Sequence, residues 1–204
     1  MQRILILIII SLLFVSSCSK NKKGEKYEPI KIEDIVQQGQ FKVLWSKDFD
    51  DGKKAFGYKL IPYIDNQNVY IAGLNGTVSK LDAKTGAQDW SVDLDYQISA
   101  GPGVGSQILV IGTPEGNVVA LDKNSGSQIW SVRLSSEILS PPIVDNNIVI
   151  VRAQDGRVYS LSAETGNRNW LFDTNIPNLT LRGNSKPVVK AGRVYIGFDN
   201  GKVA

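Results

Sequence analysis

Short apolar runs separated by glycine turns recur along the chain from residue 69 onward. Three of these runs are rich in β-branched residues: Val69–Ala72, Ile108–Ile111 and Ile148–Val151. Their length and composition favour buried strands over helices. A turn that ends in glycine follows each run and occurs once more near the end of the sequence, at Asn75-Gly76, Glu115-Gly116, Asp155-Gly156 and Asn200-Gly201. Glycine supplies the positive φ of tight hairpin turns, so the pattern predicts a series of β-hairpins.

The pattern repeats every 40 residues. The segments GTVSKLDAKTGAQDW, GNVVALDKNSGSQIW and GRVYSLSAETGNRNW end at Trp90, Trp130 and Trp170, and a fourth copy begins with GKVA at Gly201. Each unit also has a proline near the predicted start of its first strand: Pro62, Pro102, Pro142 and Pro187. Four strands per unit of about 40 residues are typical of a β-propeller blade. One blade cannot cover its own apolar faces, so the sequence predicts an all-β propeller with stacked blades.

Two positions of the repeat carry specific expectations. The tryptophans recur at one place per blade, and we expect them to pack blade against blade rather than to stack on a ligand. Asp82 and Asp122 begin a turn that closes with Gly86 and Gly126. Asp accepts backbone N–H bonds in such a turn, and Gly takes the left-handed conformation. Ser162 replaces the Asp in the third copy, which predicts a weaker turn there.

The N-terminal segment Met1–Ser17 has the pattern of a signal peptide. Met1–Arg3 is short and positive, and Ile4–Val15 is apolar except for Ser11. This run is shorter than the roughly 20 residues of a membrane-spanning helix and has the length of a signal core. We therefore divide the chain into a signal peptide (1–17), a flexible tether that begins at Cys18 (18–40) and a propeller domain (41–204) of about four blades, the last one truncated.

The sequence Val15-Ser16-Ser17-Cys18 resembles a bacterial lipobox. The resemblance implies cleavage before Cys18 and acylation of that cysteine, palmitate included, and several acyl chains anchor a protein stably to a membrane. Ser19, where inner-membrane lipoproteins carry Asp, implies the outer membrane, with the protein on its periplasmic face. The alternative is an ordinary secretory signal in which Cys18 is incidental.

The composition excludes several kinds of chemistry. The 204 residues contain no His, which rules out Ser-His-Asp and Cys-His catalysis and His-ligated metals. Cys18 is the only Cys, so neither an intrachain disulfide nor a Cys-based zinc site can form. The formal charge is +3, or 22 − 20 = +2 from Cys18 onward, which is too small to indicate a nucleic-acid partner. We expect no catalytic residue, no metal and no cofactor.

The repeat is interrupted after the third blade. The spacing from the tryptophan to the proline of the next unit is the same at the first two junctions and five residues longer at the third, from Trp170 to Pro187. The extra residues lie in Thr174–Lys186, TNIPNLTLRGNSK, where Leu179, Leu181 and Arg182 occur in an otherwise polar segment. An apolar pair beside an Arg in a surface loop suits an anchor for another protein. Alternatively, the two leucines pack beneath the loop as a satellite core.

The connection that precedes the first blade, from Trp45 to Pro62, is as long as the third junction. Its sequence DDGKKAFGYK is charged and contains two glycines. We expect a solvated loop there, without chemistry of its own.

The ends of the propeller allow two arrangements. Val43–Phe49, which contains Trp45, is predicted to be an outer strand without the earlier strands of its blade, whereas the fourth blade lacks its outer strand. A closed four-bladed ring would use Val43–Phe49 to complete the fourth blade. The favoured arrangement is an incomplete ring, the first half of a larger propeller, because ending at GKVA leaves an unpaired strand edge.

The pattern G-x-V-x-x-L-D-x-x-T-G-x-x-x-W resembles the blades of pyrroloquinoline quinone (PQQ) enzymes and their non-enzymatic relatives. With the lipobox, the tether and the sequence NLTLRG, the chain from about Val43 to Ala204 is similar to the BamB family of outer-membrane assembly lipoproteins. That resemblance implies a non-catalytic scaffold that assists folding and insertion of outer-membrane proteins. It implies binding to the periplasmic POTRA domains of BamA, with Leu179, Leu181 and Arg182 in the contact, and unfolded outer-membrane proteins as further candidate partners.

Two other functions compete with this scaffold. One is a PQQ-dependent dehydrogenase, but those enzymes carry a vicinal Cys pair beside the quinone, which a chain with Cys18 as its only Cys cannot form. The other is a propeller that binds a sugar or an adhesin-type ligand, from which only the LTLRG segment distinguishes the scaffold. The scaffold is therefore the favoured hypothesis.

Overall fold

A computed structural model of the chain describes residues 42–49, 58–174 and 185–204. All the regular secondary structure within these residues is β-strand. A short strand, β1 (Lys59–Leu60), precedes the first blade, and the first blade is the antiparallel sheet β2 (Tyr63–Asp65), β3 (Asn68–Ala72), β4 (Thr77–Asp82) and β5 (Gln88–Asp93). None of the described residues forms a helix that is long and apolar enough to span a membrane.

Two further blades of four consecutive strands follow at the same step, and β1 adds a fifth strand to the sheet of the first of them. The second blade consists of β6 (Ala100–Val104), β7 (Ile108–Gly112), β8 (Asn117–Asp122) and β9 (Gln128–Arg133). The third blade consists of β10 (Ile143–Asp145), β11 (Ile148–Arg152), β12 (Val158–Ser162) and β13 (Arg168–Phe172). A fourth begins with β14 (Val188–Lys190) and β15 (Arg193–Tyr195), and GKVA joins it through a bridge between Gly197 and Val203. The predicted all-β architecture of four-stranded blades is therefore confirmed.

The blades pack against one another through central strands that are buried on both faces. Successive residues of β7 face opposite neighbours, with Val110 in a core shared with the third blade and Ile111 in a core shared with the first. Both side chains are completely buried. Because both faces of the strand are covered, the segment is a continuous apolar run rather than an alternating one. A parallel pairing of β1 with β6, Lys59 opposite Ala100, adds a backbone connection to the second blade.

The turns that begin with Asp form as the repeat predicts. Asp82 Oδ1 accepts hydrogen bonds from the backbone N–H of Lys84 (3.0 Å) and of Thr85 (2.8 Å) and from Thr85 Oγ1 (2.7 Å). In the third blade Ser162 Oγ accepts one longer bond, from Thr165 N at 3.3 Å. The turn of the third blade is therefore the weaker one, because a hydroxyl replaces a carboxylate that accepts three bonds.

The tryptophans pack between blades where a following blade is described. Trp90 Nε1 donates to the carbonyl of Lys123 at 3.3 Å, and Trp130 Nε1 donates to that of Ala163 at 2.9 Å. Each acceptor lies 33 residues further along the chain, in the turn of the next blade. Trp170 is 41% exposed, and the described residues do not include the turn that the repeat would place against it, so the prediction is not tested at this position.

The segment before the first blade is not a strand, contrary to the prediction for Val43–Phe49. None of the described strands runs beside it, so it has no ladder of backbone hydrogen bonds. Trp45 nevertheless takes the place of a blade tryptophan, because its Nε1 donates to the carbonyl of Ala83 at 3.0 Å. The prediction of a strand at Val43–Phe49 is therefore wrong, although Trp45 makes the same kind of contact as a blade tryptophan.

Candidate partner-binding site

The candidate site is the long connection between the third and fourth blades. Leu179, Leu181 and Arg182 lie outside the described residues, as does Cys18. The two ends of the connection are described, at Thr174 and at Ser185. The contacts of these two ends are described below.

The C-terminal end is held by hydrogen bonds to both the side chain and the backbone of Ser185. The Ser185 hydroxyl accepts from Arg152 Nη1 at 2.8 Å and donates to the Gly197 carbonyl at 2.9 Å. The Ser185 carbonyl accepts from Ser140 Oγ at 3.2 Å. Arg152 Nη1 also donates to the Gly197 carbonyl at 2.7 Å, which closes a small cluster. The end of the connection is thus tied to both the third and the fourth blade.

Arg152 is the central member of this cluster and is only 1% exposed. Its Nη2 lies 3.4 Å from Asp199 Oδ2, and its guanidinium lies 5.0 Å from the ring centroid of Phe198. Burial lowers the pKa of Arg152, and the Asp199 carboxylate partly offsets that shift. A buried guanidinium is stable only when its donors find acceptors, and here Ser185, Gly197 and Asp199 supply them.

The N-terminal end is held by a second arginine of the same hairpin. Arg157 Nε donates to Asp173 Oδ2 at 3.1 Å, directly after β13. Arg157 Nη1 also pairs with Asp155 Oδ2 at 3.2 Å. Arg157 and Asp173 are partly exposed, so this contact contributes less than the buried cluster around Arg152. The hairpin of β11 and β12 therefore contacts both ends of the connection.

Sequence reasoning missed Arg152, although the repeat contains a signal for it. Ala72 and Gly112 occupy the corresponding positions of the first and second blades. A large charged residue at a position that is otherwise small marks a local change in packing. The change occurs in the blade that precedes the longer inter-blade junction.

The described residues show no arrangement for metal chemistry. Within 42–49, 58–174 and 185–204, no three His, Cys, Asp or Glu side chains lie together as a metal site would require. The carboxylates of Asp82 and Asp122 accept turn hydrogen bonds, and those bonds lower the pKa of each group. These two carboxylates therefore have a structural explanation.

Comparison with known proteins places the chain in one family. A family model described as outer membrane protein assembly factor BamB matches residues 37–97 and 74–204. BamB of Alkalilimnicola ehrlichii is 56% identical over 172 residues, which is 84% of this chain and 45% of the relative. BamB of Kangiella koreensis is 44% identical over 203 residues, which is 100% of this chain and 51% of the relative. The chain thus spans about half the length of these curated relatives.

Solved structures agree with the fold. The crystal structure of BamB from Moraxella catarrhalis matches with a TM-score of 0.65 and 29% identity, over 72% of this chain and 44% of that chain. The computationally designed Ika4 protein matches with a TM-score of 0.58 at 18% identity, over 78% of this chain and 97% of that chain, which bears on the fold alone. From the family match, the curated relatives and the arrangement of blades, the chain belongs to the BamB family of outer membrane protein assembly factors.

Proposed function

We propose that the protein is a non-catalytic scaffold of the outer-membrane β-barrel assembly machinery and that it assists folding and insertion of outer-membrane proteins. In this proposal it binds the periplasmic POTRA domains of BamA. The observation that carries the proposal is the interruption of the repeat after the third blade, which adds five residues to the junction and contains Leu179, Leu181 and Arg182. Regular blades are explained by packing, whereas an insertion that breaks the step is available for recognition.

The three residues have complementary roles in the proposed contact. Leu179 and Leu181 dock into a small apolar groove of the partner, and the removal of their apolar surface from water contributes binding energy. Arg182 pairs with a carboxylate or donates to free backbone carbonyls, because its planar guanidinium offers several donors. Removing an anchor of this kind costs about 2 kcal/mol or more, which is roughly a thirtyfold loss of affinity.

The proposal includes attachment to the outer membrane through acylated Cys18, with the propeller on the periplasmic side. Sequence support comes from the lipobox, from Ser19 and from the polar tether that follows. A Cys18→Ala variant is expected to leave the membrane fraction when cells are fractionated. Cys18→Ala that stays with the membrane at the wild-type level would contradict the lipid anchor.

Catalysis by a bound quinone has little support from the residues. The 204 residues contain Cys18 alone and therefore no vicinal Cys pair. The relatives are named assembly factors rather than enzymes. The chain's own residues thus favour a scaffold over a dehydrogenase, and nothing specific favours a sugar-binding propeller.

The direct test measures binding of the full-length protein to purified BamA POTRA domains. Leu179→Ala, Leu181→Ala and Arg182→Glu are each expected to raise the Kd about thirtyfold or more. Ile129→Ala and Arg168→Glu are matched controls, since both residues are exposed on other strands. Circular dichroism checks that each variant keeps its β structure. Wild-type affinity in all three loop variants would overturn the proposed contact.

A further inference from the structure

We infer that the junction between the second and third blades binds a lysine side chain presented by another polypeptide. The site is an open cavity of about 420 Å³ between the two blades. Apolar and polar side chains both line it, among them Ile129, Val144, Gln107, Asn147, Ala163 and Glu164. Its volume lies within the range of about 300–1,000 Å³ that is typical of binding sites for small groups. The residues proposed to contact BamA are not among those that line it.

The preceding junction, between the first and second blades, shows which group fills the equivalent place. Lys123, which the repeat aligns with Ala163, extends from the second blade to the first. Its Nζ lies 2.6 Å from Asp65 Oδ2 and 5.5 Å from the ring centroid of Tyr70, and it donates to the Gly105 carbonyl at 3.2 Å. An ammonium on an aliphatic stem is therefore the occupant that this blade geometry accepts within the chain itself.

The junction between the second and third blades lacks all three side chains of that arrangement. In steps of 40 residues, the replacements are Lys123 by Ala163, Asp65 by Gly105 and Tyr70 by Val110. Each new side chain is smaller than the one it replaces. A side chain at position 105 would press on the cavity wall, because its Cβ would lie 2.4 Å from Val144 Cγ1. The open space follows from these replacements.

The charge of the lining favours a cation. Glu164 stands where the preceding blade has Asn124, so a carboxylate is gained at the junction that lost the equivalent of Asp65. The Glu164 side chain is exposed and is in no ion pair or hydrogen bond with another described residue. None of the described lining residues is Lys or Arg. The amide oxygens of Gln107 and Asn147 are further acceptors for an ammonium group.

The apolar part of the lining suits the stem of a lysine. Ile129 is 45% exposed, and it stands where the first blade has Asp89, which pairs with Lys80 at 3.1 Å. Val144 is half-buried on the opposite wall. A lysine packs its methylene groups on apolar surface and keeps its ammonium close to water. The cavity therefore matches a side chain with an apolar stem and a terminal positive charge.

An NMR titration of the full-length protein tests the site with the blocked peptide acetyl-Gly-Ser-Lys-Ser-Gly-amide. Saturable shifts are expected at the Ala163 and Glu164 amides and at the Trp130 indole N–H, which donates to the Ala163 carbonyl at 2.9 Å. Norleucine in place of the peptide lysine keeps the stem, removes the charge and is expected to raise the Kd about fivefold. Absence of saturable shifts with the lysine peptide would overturn the inference.

Glu164→Gln is expected to raise the Kd of the lysine peptide about fivefold and to leave that of the norleucine peptide unchanged, because only the charge pairing is lost. Glu115→Gln, at an exposed glutamate of another turn, is the matched control and is expected to change neither value. Ala163→Lys supplies the chain's own lysine, as at Lys123, and is expected to abolish the peptide shifts. Should that variant fail to fold, Glu164→Gln decides, and equal Kd changes for both peptides would overturn the pairing.

Two results would assign the cavity to a different occupant and so overturn the inference. One is binding of n-butylamine as tightly as the peptide, which would indicate a small amine. The other is a concentration-dependent shift of the Ala163 and Glu164 amides without peptide, which would indicate a second copy of the chain. The titration contains no POTRA domain, so its result is independent of the contact proposed for Leu179, Leu181 and Arg182.

Discussion

Gly126 lies directly beneath the indole ring of Trp90. A Cβ at position 126 would come within 2.8 Å of Trp90 Cε3, and the backbone at Gly126 has a φ of +76°. The same relationship joins Gly166 to Trp130, at 2.8 Å, and Gly86 to Trp45, at 2.7 Å. The glycine that closes each of these turns thus serves two purposes, because it adopts a left-handed conformation and leaves room for the tryptophan of the preceding unit.

Gly126→Ala is expected to destabilise the protein by about 3 kcal/mol, from left-handed strain of about 1 kcal/mol and overpacking of about 2 kcal/mol. Gly192→Ala is the matched control, since Gly192 has a φ of +71° but no atom within 4 Å of the added Cβ. Urea unfolding of both variants measures the difference. Equal destabilisation by the two substitutions would show that the tryptophan contact contributes nothing.

Trp130→Phe is expected to destabilise the junction between the second and third blades by about 1 kcal/mol beyond the loss of ring area. The substitution removes the N–H that donates to Ala163 at 2.9 Å. Trp170→Phe removes an indole at a 41% exposed position and is expected to leave the melting temperature nearly unchanged. Similar shifts from both variants, measured by calorimetry, would contradict the inter-blade role of the hydrogen bond.

Ser162→Asp is expected to stabilise the third blade by about 0.5–1 kcal/mol, because it restores an acceptor for turn N–H groups. In the first two blades Asp82 and Asp122 accept from Thr85 and Ser125, whereas Ser162 accepts one bond at 3.3 Å. Thermal unfolding at pH 7 measures the gain. A melting temperature below wild type would mean that the serine turn is already satisfied in another way.

The Asp turns make stability depend on pH. Hydrogen bonds from the Thr85 side chain and backbone lower the pKa of Asp82, and those from the Ser125 backbone and hydroxyl lower the pKa of Asp122. A lowered folded-state pKa gives stability that is present above the unfolded value of about 3.9 and is lost as the pH falls through the folded value. The double variant Asp82→Asn/Asp122→Asn should therefore lose less stability than wild type between pH 7 and pH 3.

The control for this pH dependence is Asp95→Asn, an exposed aspartate outside the turns. The melting temperature of the Asp95→Asn variant is expected to change with pH as that of the wild type does between pH 7 and pH 3. An unaltered acid slope in the double variant would show that the turn carboxylates are not responsible.

The repeat made most of the fold predictable from sequence. Runs such as Ile108–Ile111 are apolar on both faces because a blade covers each side, and Gly116 and Gly156 are fixed by positive φ at their turns. Periodicity reports any feature that every blade shares. It therefore located the strands, the Asp turns and the inter-blade position of Trp90 and Trp130.

Features that depend on one blade alone were harder to predict. Arg152 looks like the charged end of a strand in the sequence, and only the structure brings it to Ser185, 33 residues further along the chain. The segment Val43–Phe49 has strand composition but no described strand beside it, and hydrogen-bonded partners rather than composition define a strand.

The placement of one tryptophan at each blade boundary gives the molecule built-in optical reporters. Trp45, Trp90 and Trp130 each donate to a carbonyl of the following unit, so the emission of each ring responds to separation at its own boundary. Variants that retain one indole at a time would then resolve whether adjacent units part in sequence or all at once when the protein is pulled or heated.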